Sequence, residues 1–307
     1  MFTTNLTKLD RIAGIRFLLP ILLLAACGSH HADVPTPMPP DQQLALKYDR
    51  YVALSAATQG PHGWVVEDSC DALLFASLTA AATGVAIDIE SARGADGEWY
   101  RNPSQTCFPD RSSSTISRDM FLGLFWYVHK FARSDLAQQV FSYGDDHHWV
   151  MGKGDLSRTF MTPNEQADLA LLTGDDHVIG HFEPVLSDSA TGFEAHLVAV
   201  DLALRVRLGK ATDDGQGHAQ HLVDRQPHNP LFQAVLGLYT GNQLPAVMLL
   251  LSPTYWPDDR LPTSADRCEP WLTQRDEGID WQPCPERGLT HSGGDFLYAA
   301  ALALGKL

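Results

Sequence analysis

The sequence lacks the short motifs that identify several large enzyme classes. It contains no glycine-rich nucleotide loop, no serine-hydrolase elbow and no complete metalloprotease signature. The nearest approach to a zinc pair is His177 and His181, which have helical spacing, but Val178 stands where the signature requires glutamate. We therefore expect no metal and no cofactor, and function has to be argued from the placement of charged and aromatic residues.

Basic residues are scarce. The chain has 22 Lys and Arg against 37 Asp and Glu, which gives a formal net charge of −15. This balance repels nucleic acid and anionic lipid headgroups, so a nucleic-acid partner is not expected. It does not exclude an acidic substrate, because a local group of arginines can oppose the field of the whole chain.

Alternation of polar and apolar residues with the period of a strand is also rare, which favours a mainly α fold. Nearly all-apolar helical segments alternate with more amphipathic ones, and polar loops precede several of the apolar segments. The helices predicted from these patterns and their capping residues include 42–57, 68–84, 134–143, 163–172, 193–208, 230–239 and 244–251, with a polar loop expected at 213–218. A buried helix is also predicted in the stretch 112–131, with Thr115 or Ser117 as its cap, and a last helix begins at 291–295 and runs to 304.

This alternation is expected when inner helices form a ring, outer helices cover them, and long loops gather at one end. It resembles the (α/α) toroid scaffold of many carbohydrate-active enzymes. The resemblance is one of architecture and rests on no specific motif. An irregular helical bundle is the alternative.

The first residues have the organisation of a secretory leader. Three basic residues precede an apolar run that is too short for a stable membrane span, and the run ends in Leu24-Ala25-Ala26-Cys27. This ending resembles the lipobox of bacterial lipoproteins, in which the cysteine is acylated and becomes the first mature residue. The resemblance implies a signal peptide at 1–26, lipidation of Cys27 and a membrane anchor. Gly28 and Ser29 follow instead of an inner-membrane retention aspartate, which favours the outer membrane, on its periplasmic or surface side.

Cleavage after residue 26 removes three basic residues and one acidic residue, which takes the formal charge from −15 to −17. The proline-rich segment 27–41 is then a semi-rigid tether, because its prolines cannot continue a helix. We expect a single helical domain at 42–307.

Four cysteines remain after Cys27, and an even number in an oxidising compartment indicates disulfides. Three connectivities are possible. We favour Cys70 with Cys107 and Cys268 with Cys284, since each pair closes a local segment that contains a loop. The alternative is that one or more are buried free thiols.

Three apolar helices are predicted to begin beside a hydroxyl and a carboxylate. The carboxylates are Asp71, Asp119 and Asp295, and Arg118 directly precedes Asp119. Helix capping by hydroxyls or carboxylates such as Thr115, Ser117 or Asp71 is one explanation. The functional one is that these helix ends converge, so that paired carboxylates act as general acid and base, with His291 nearby.

Other residues suit contacts with a glycan. Arg118 and Arg158 can bind a uronate carboxylate through two parallel bonds, and Arg101 lies in a neighbouring loop. Among the loop tryptophans, Trp149 and Trp281 are candidates for stacking on sugar rings. The leading hypothesis is an envelope lipoprotein acting on polysaccharide or glycoconjugate, as a glycoside hydrolase or polysaccharide lyase. The alternative is a non-enzymatic lipoprotein that binds a glycan or a protein.

Overall fold

The computed structural model describes residues 37–107, 114–152, 159–175, 194–263 and 291–307. Within these ranges the chain is mainly helical, which confirms the predicted fold class. The ten α-helices of the described ranges are α1 Pro40–Ala56, α2 Ala72–Thr83, α3 Arg118–Phe131, α4 Ser134–Asp146, α5 Pro163–Thr173, α6 Glu194–Arg207, α7 Asp213–Arg225, α8 Pro230–Thr240, α9 Leu244–Leu250 and α10 Gly294–Ala303. The described β structure is limited to isolated bridges, such as Tyr100 with Thr115.

Several helix ends carry the capping residues that the sequence offers. Thr162 and Glu165 form a complete capping box at the start of α5, and the Asn229 side chain accepts bonds from two backbone N–H groups at the start of α8. Gly174 and Gly241 follow α5 and α8 in the left-handed conformation, in which glycine carries no steric penalty. These boundaries are local events, so they were predictable.

The loop predicted at 213–218 is wrong, because these residues begin α7. Thr212 caps the helix by accepting a bond from Gly215 N. A Cβ atom at Gly215 would lie 2.6 Å from the Tyr239 hydroxyl, so glycine there permits close packing on α8. Tertiary packing thus overrides the poor helix propensity of two glycines in one turn and a half.

Helices α2, α3 and α10 supply much of the core and are buried along most of their length. The closest approach is between α2 and α3. A Cβ atom at Gly123 would lie 3.0 Å from the backbone of Leu74, so a larger residue there would force the two helices apart. The amino-terminal halves of α2 and α3 are therefore held together firmly.

Contacts between helices close a circuit in which α2 meets α3, α3 meets α6, α6 meets α8, α8 meets α10 and α10 meets α2. The helices between them in sequence pack against members of this circuit: α1 and α9 on α10, α4 on α3, and α7 on α6 and α8. This pairing supports the predicted division into inner and outer helices. The toroid itself remains a prediction.

Helix α1 is fixed to a distant part of the chain by buried polar groups. The Lys47 ammonium donates to the Trp256 carbonyl and lies 3.0 Å from Asp258, and the Tyr51 hydroxyl donates to the Pro257 carbonyl. Residues Met38–Leu307 form one compact unit. The predicted leader, Cys27 and most of the tether lie outside the described residues, and no helix in the described part is long and apolar enough to cross a bilayer.

A disulfide joins Cys70 to Cys107, as predicted, with Cα atoms 5.4 Å apart. The bond connects Cys107, in the loop that follows α2, to Cys70, the residue before Asp71. The loop also accepts a hydrogen bond at its Arg101 carbonyl from Leu73 N in the first turn of α2, at 2.9 Å. The segment carrying Arg101 is thereby fixed beside the start of α2. Cys268 and Cys284 lie outside the described residues.

Candidate functional site

Two of the predicted carboxylates come together where α2 and α3 begin. Asp71 precedes the first residue of α2, and Asp119 lies in the first turn of α3. The close approach of Gly123 to Leu74 holds these two starts side by side. Asp119 is only 5% exposed, whereas Asp71 is partly exposed. One carboxylate is thus shielded and its neighbour is reachable.

Capping does not explain these residues. Neither Asp71 nor Ser117 accepts a side-chain bond from the backbone of the helix it precedes. The Ser117 hydroxyl instead donates to Asp119 Oδ1 at 2.5 Å, which fixes that carboxylate. The Asp71 and Ser117 side chains therefore do not satisfy the free N–H groups at the starts of their helices.

The surroundings of Asp71 favour its protonated form. Burial raises the pKa of the Asp71 carboxyl, and the negative charge of Asp119 raises it further, while Arg101 opposes both effects. A carboxyl group with a raised pKa beside a second carboxylate is the arrangement that separates a general acid from a general base.

Arg101 is held by backbone carbonyls on both sides of the pair. Its Nε donates to the Thr115 carbonyl at 3.1 Å, and its Nη1 lies 3.4 Å from the Cys70 carbonyl. These bonds link the loop after α2, the segment before α3 and the disulfide. Arg101 therefore lies in the site by virtue of the loop that Cys107 closes.

Arg118 turns away from Asp119, although the two are adjacent in sequence. Its Nε donates to Glu165 Oε1 at 3.3 Å, and Glu165 is itself the buried capping residue of α5. Burial is the main effect that raises the pKa of Glu165, and Arg118 partly opposes it. Arg118 thus joins the starts of α3 and α5 and is neither a freely solvated residue nor a direct partner of Asp119.

A second group of acids was missed by the sequence analysis. Asp168 on α5 and Asp201 on α6 are both buried, and Arg205 lies between them, 3.1 Å from Asp168 Oδ1 and 3.2 Å from Asp201 Oδ2. Asn164 donates to Asp201 Oδ2 at 2.5 Å. The spacing of Asp201 and Arg205 by four residues was visible, but only the folded chain brings Asp168 to them.

The charges of this group do not balance. Burial raises the pKa of Asp168 well above its ordinary value, and the nearby Asp201 carboxylate raises it further. Neither oxygen of Asp168 accepts a well-formed hydrogen bond, in spite of the ion pair with Arg205. One arginine thus lies between two carboxylates, an arrangement that favours the protonated form of Asp168.

His291 lies near the first turn of α2 and not on the carboxylate pair itself. Its ring stacks on Phe75 with centroids 3.7 Å apart and an interplanar angle of 10°. His291, Ser292 and Gly293 have φ values of 50°, 49° and 75°, three consecutive residues in the left-handed region. Such backbone strain in non-glycine residues persists only where the surrounding structure imposes it, and it is frequent at functional sites.

The other predicted site residues are placed less centrally. Asp295 is fully buried in the first turn of α10, and its Oδ1 accepts a bond from Phe296 N at 2.8 Å. Trp149 is half-buried and packs edge-on against Phe141. The loop tryptophans Trp99 and Trp256 belong to the core.

His196 is buried on α6. The residues Arg158, Trp281, His177 and His181 lie outside the described residues. In the part of the chain that is described, no group of three His, Cys, Asp or Glu residues can hold a metal ion.

The arrangement can perform acid–base chemistry on a group that reaches Asp71. Asp71 can deliver a proton, the neighbouring Asp119 carries the complementary negative charge, and Arg101 limits the rise in the pKa of Asp71. Comparison with known proteins adds no precedent, since no protein-family model, curated protein or solved structure matches this chain.

Proposed function

We propose that this protein is a lipid-anchored glycoside hydrolase of the bacterial cell envelope, with Asp71 as general acid and Asp119 as general base or nucleophile. One observation carries the proposal. Two carboxylates meet at the starts of α2 and α3, neither is used as a cap, and the pKa of Asp71 is raised. Glycoside hydrolases use such a pair, in which one carboxyl is kept protonated near neutral pH.

The envelope location rests on the leader and on the lipobox-like sequence that ends in Cys27. With this anchor the chain would act on glycans outside the cytoplasm. Its negative formal charge disfavours nucleic acid, whereas Arg101 provides positive charge at the site. The substrate class proposed is therefore polysaccharide or glycoconjugate. A uronate-containing polymer would also allow a lyase, in which a carboxylate is neutralised and the neighbouring proton is removed.

The test is a glycan-degradation screen with the purified full chain, followed by Asp71→Asn and Asp119→Asn on any substrate found. We expect each substitution to lower turnover by at least about 100-fold. The melting temperature should change little, because neither carboxylate caps its helix. Asp213→Asn is the matched control, since Asp213 is an exposed first-turn aspartate of α7 and should leave turnover unchanged.

The pH profile gives an independent readout. The alkaline limb of kcat/KM should report the raised pKa of Asp71, and this limb should disappear in Asp71→Asn. Products with the ultraviolet absorbance of an unsaturated sugar would identify a lyase. Wild-type turnover in both folded variants would remove the pair from the active site.

A non-enzymatic glycan-binding protein is the second candidate. It is favoured by the positions of Arg118 and His291, which contact Glu165 and Phe75 respectively. Under this alternative the wild type binds a glycan without degrading it, and Asp71→Asn alters binding only.

A further inference from the structure

Arg207, in the last turn of α6, differs from the other arginine on the same helix end. Arg205 is bracketed by Asp168 and Asp201. Arg207 is partly buried, its Nε has no hydrogen-bond partner, and no carboxylate among the described residues pairs with it. A partly buried guanidinium without a counter-charge is unfavourable, so its retention calls for an explanation.

The packing of α3 on α6 places two further basic residues, His129 and Lys130, near Arg207. Trp126 Nε1 donates to the Val200 carbonyl at 3.2 Å, which fixes the register of the two helices. Arg207 follows Val200 by about two turns, and His129 follows Trp126 by about one turn, so both project from the carboxyl-terminal ends of adjoining helices. The His129 ring meets the Trp126 ring at 6.1 Å, and Lys130 is the next residue.

The electrostatic interactions agree with this placement. Burial lowers the pKa of His129, and the positive charges of Arg207 and Lys130 lower it further. Burial also lowers the pKa of Arg207, and only the Tyr298 hydroxyl opposes that effect. Every charged group that acts on His129 is therefore positive.

The neighbouring cations have acidic partners of their own. Lys306 on the segment after α10 lies 3.5 Å from Asp49, and Arg133 before α4 bonds both Glu90 and Asp135. Lys130 donates to the Lys306 carbonyl at 2.9 Å and has two further ammonium hydrogens. Among the described residues, no acid forms an ion pair with His129, Lys130 or Arg207.

We propose that Arg207, His129 and Lys130 form a binding site for a phosphate-type oxyanion at the carboxyl-terminal ends of α3 and α6. The planar fork of arginine matches two oxygens of such an anion, and an imidazole and an ammonium supply further donors. The helix dipoles favour cations at this end, which accounts for the sign of the charge. They do not account for a guanidinium Nε that is buried without a partner.

The site is tested with inorganic phosphate as the probe and the full chain as the protein. The His129 ring is followed by NMR between pH 5 and 8 while phosphate is added. Bound phosphate should raise the pKa of His129 in a saturable manner, because the anion stabilises the imidazolium. Arg207→Gln should weaken the saturation at least tenfold. Arg225→Gln removes an exposed cation from the last turn of α7 and should leave phosphate binding unchanged.

Vesicles distinguish the source of the oxyanion. Sedimentation with phosphatidylglycerol vesicles, using the Cys27→Ser chain to remove the anchor, would reveal a lipid headgroup as the ligand if Arg207→Gln abolishes it. Saturable phosphate binding without vesicle binding indicates a soluble phosphate. Should Arg207→Gln fail to fold, Arg207→Lys and His129→Gln carry the test. Phosphate affinity equal to that of the wild type in the folded variants, or an unperturbed His129 ring, overturns the proposal.

Discussion

The amino-terminal ends of α2, α3 and α5 and the carboxyl-terminal ends of α3 and α6 differ in the charge of their side chains and in how that charge is compensated. At the amino-terminal end, the acids Asp71, Asp119 and Glu165 stand near Arg101 and Arg118. At the carboxyl-terminal end are His129, Lys130 and Arg207, and none of them pairs with an acid in the described part of the chain. Helix dipoles favour acids at the first end and cations at the second.

The difference shows that helix dipoles favour one sign of charge at each helix end but do not determine whether an opposite charge lies beside it. Within α5 and α6 folding supplies Arg205 with two acids, Asp168 and Asp201, and one arginine can neutralise only one of them. Arg207, two residues later, has no such partner. Substitution of an arginine in a structural ion pair should therefore cost much more stability than substitution of an arginine in a binding site. This should hold although both arginines belong to the same helix turn.

The largest loss of stability is expected for Arg205→Met. It leaves Asp201 without its arginine in a buried environment, which should destabilise the protein by about 3–5 kcal/mol. Arg207→Met removes a cation that has no acidic partner, so it should cost less than about 1 kcal/mol. Urea unfolding of both variants measures the difference. Equal losses would mean that the contrast between the two arginines is not a matter of charge compensation.

The disulfide should contribute the next largest effect, because it constrains the unfolded chain and fixes Arg101 beside Asp71. The double substitution Cys70→Ser and Cys107→Ser should lower stability by about 2–4 kcal/mol. Added reductant should destabilise the wild type more than this variant. If both respond equally, the stabilising bond lies elsewhere in the chain.

The raised pKa of Asp168 predicts a pH effect of opposite sign to that of an ordinary buried ion pair. Because the folded pKa of Asp168 is raised above 3.8, its contribution to stability is present at low pH and is lost as pH rises toward the folded pKa. Asp168→Asn mimics the protonated group, so its stability should fall less steeply, by up to about 1.4 kcal/mol per pH unit.

This dependence is measured by urea unfolding from pH 4 to 9. Asp71 and Glu165 also have raised pKa values, so part of the slope should persist in Asp168→Asn. Parallel curves for the wild type and the variant would show that Asp168 is ionised.

The smallest expected effect separates Thr162, a hydroxyl that caps a helix, from Ser117, a hydroxyl that fixes a carboxylate of the site. Thr162→Ala removes a cap bond of α5 and should cost about 1 kcal/mol. Ser117→Ala removes no cap bond and should cost less, but it releases Asp119 and should alter the pH profile of activity. Thermal melts and kcat/KM profiles of the two variants decide between these roles.

Local signals in the sequence were sufficient for most helices. The capping box at Thr162, the Asn229 cap and the glycines after α5 and α8 act within one turn, so their outcome is readable from neighbouring residues. The Cys70–Cys107 pairing was also predictable, because it closes a local loop. The failure at 213–225 arose where Gly215 packs against Tyr239, a contact between two helices that no local pattern contains.

The sequence by itself determined which helices are buried, where several of them begin and that acids stand at the starts of apolar helices. These properties follow from side-chain polarity and backbone hydrogen bonding within a few residues. Only the tertiary structure decided that Asp71 meets Asp119, that Arg118 turns to Glu165 and that Asp168 joins Asp201. Such pairings depend on the register between packed helices, and the pKa shifts that give them chemical meaning depend on burial, which exists only in the folded chain.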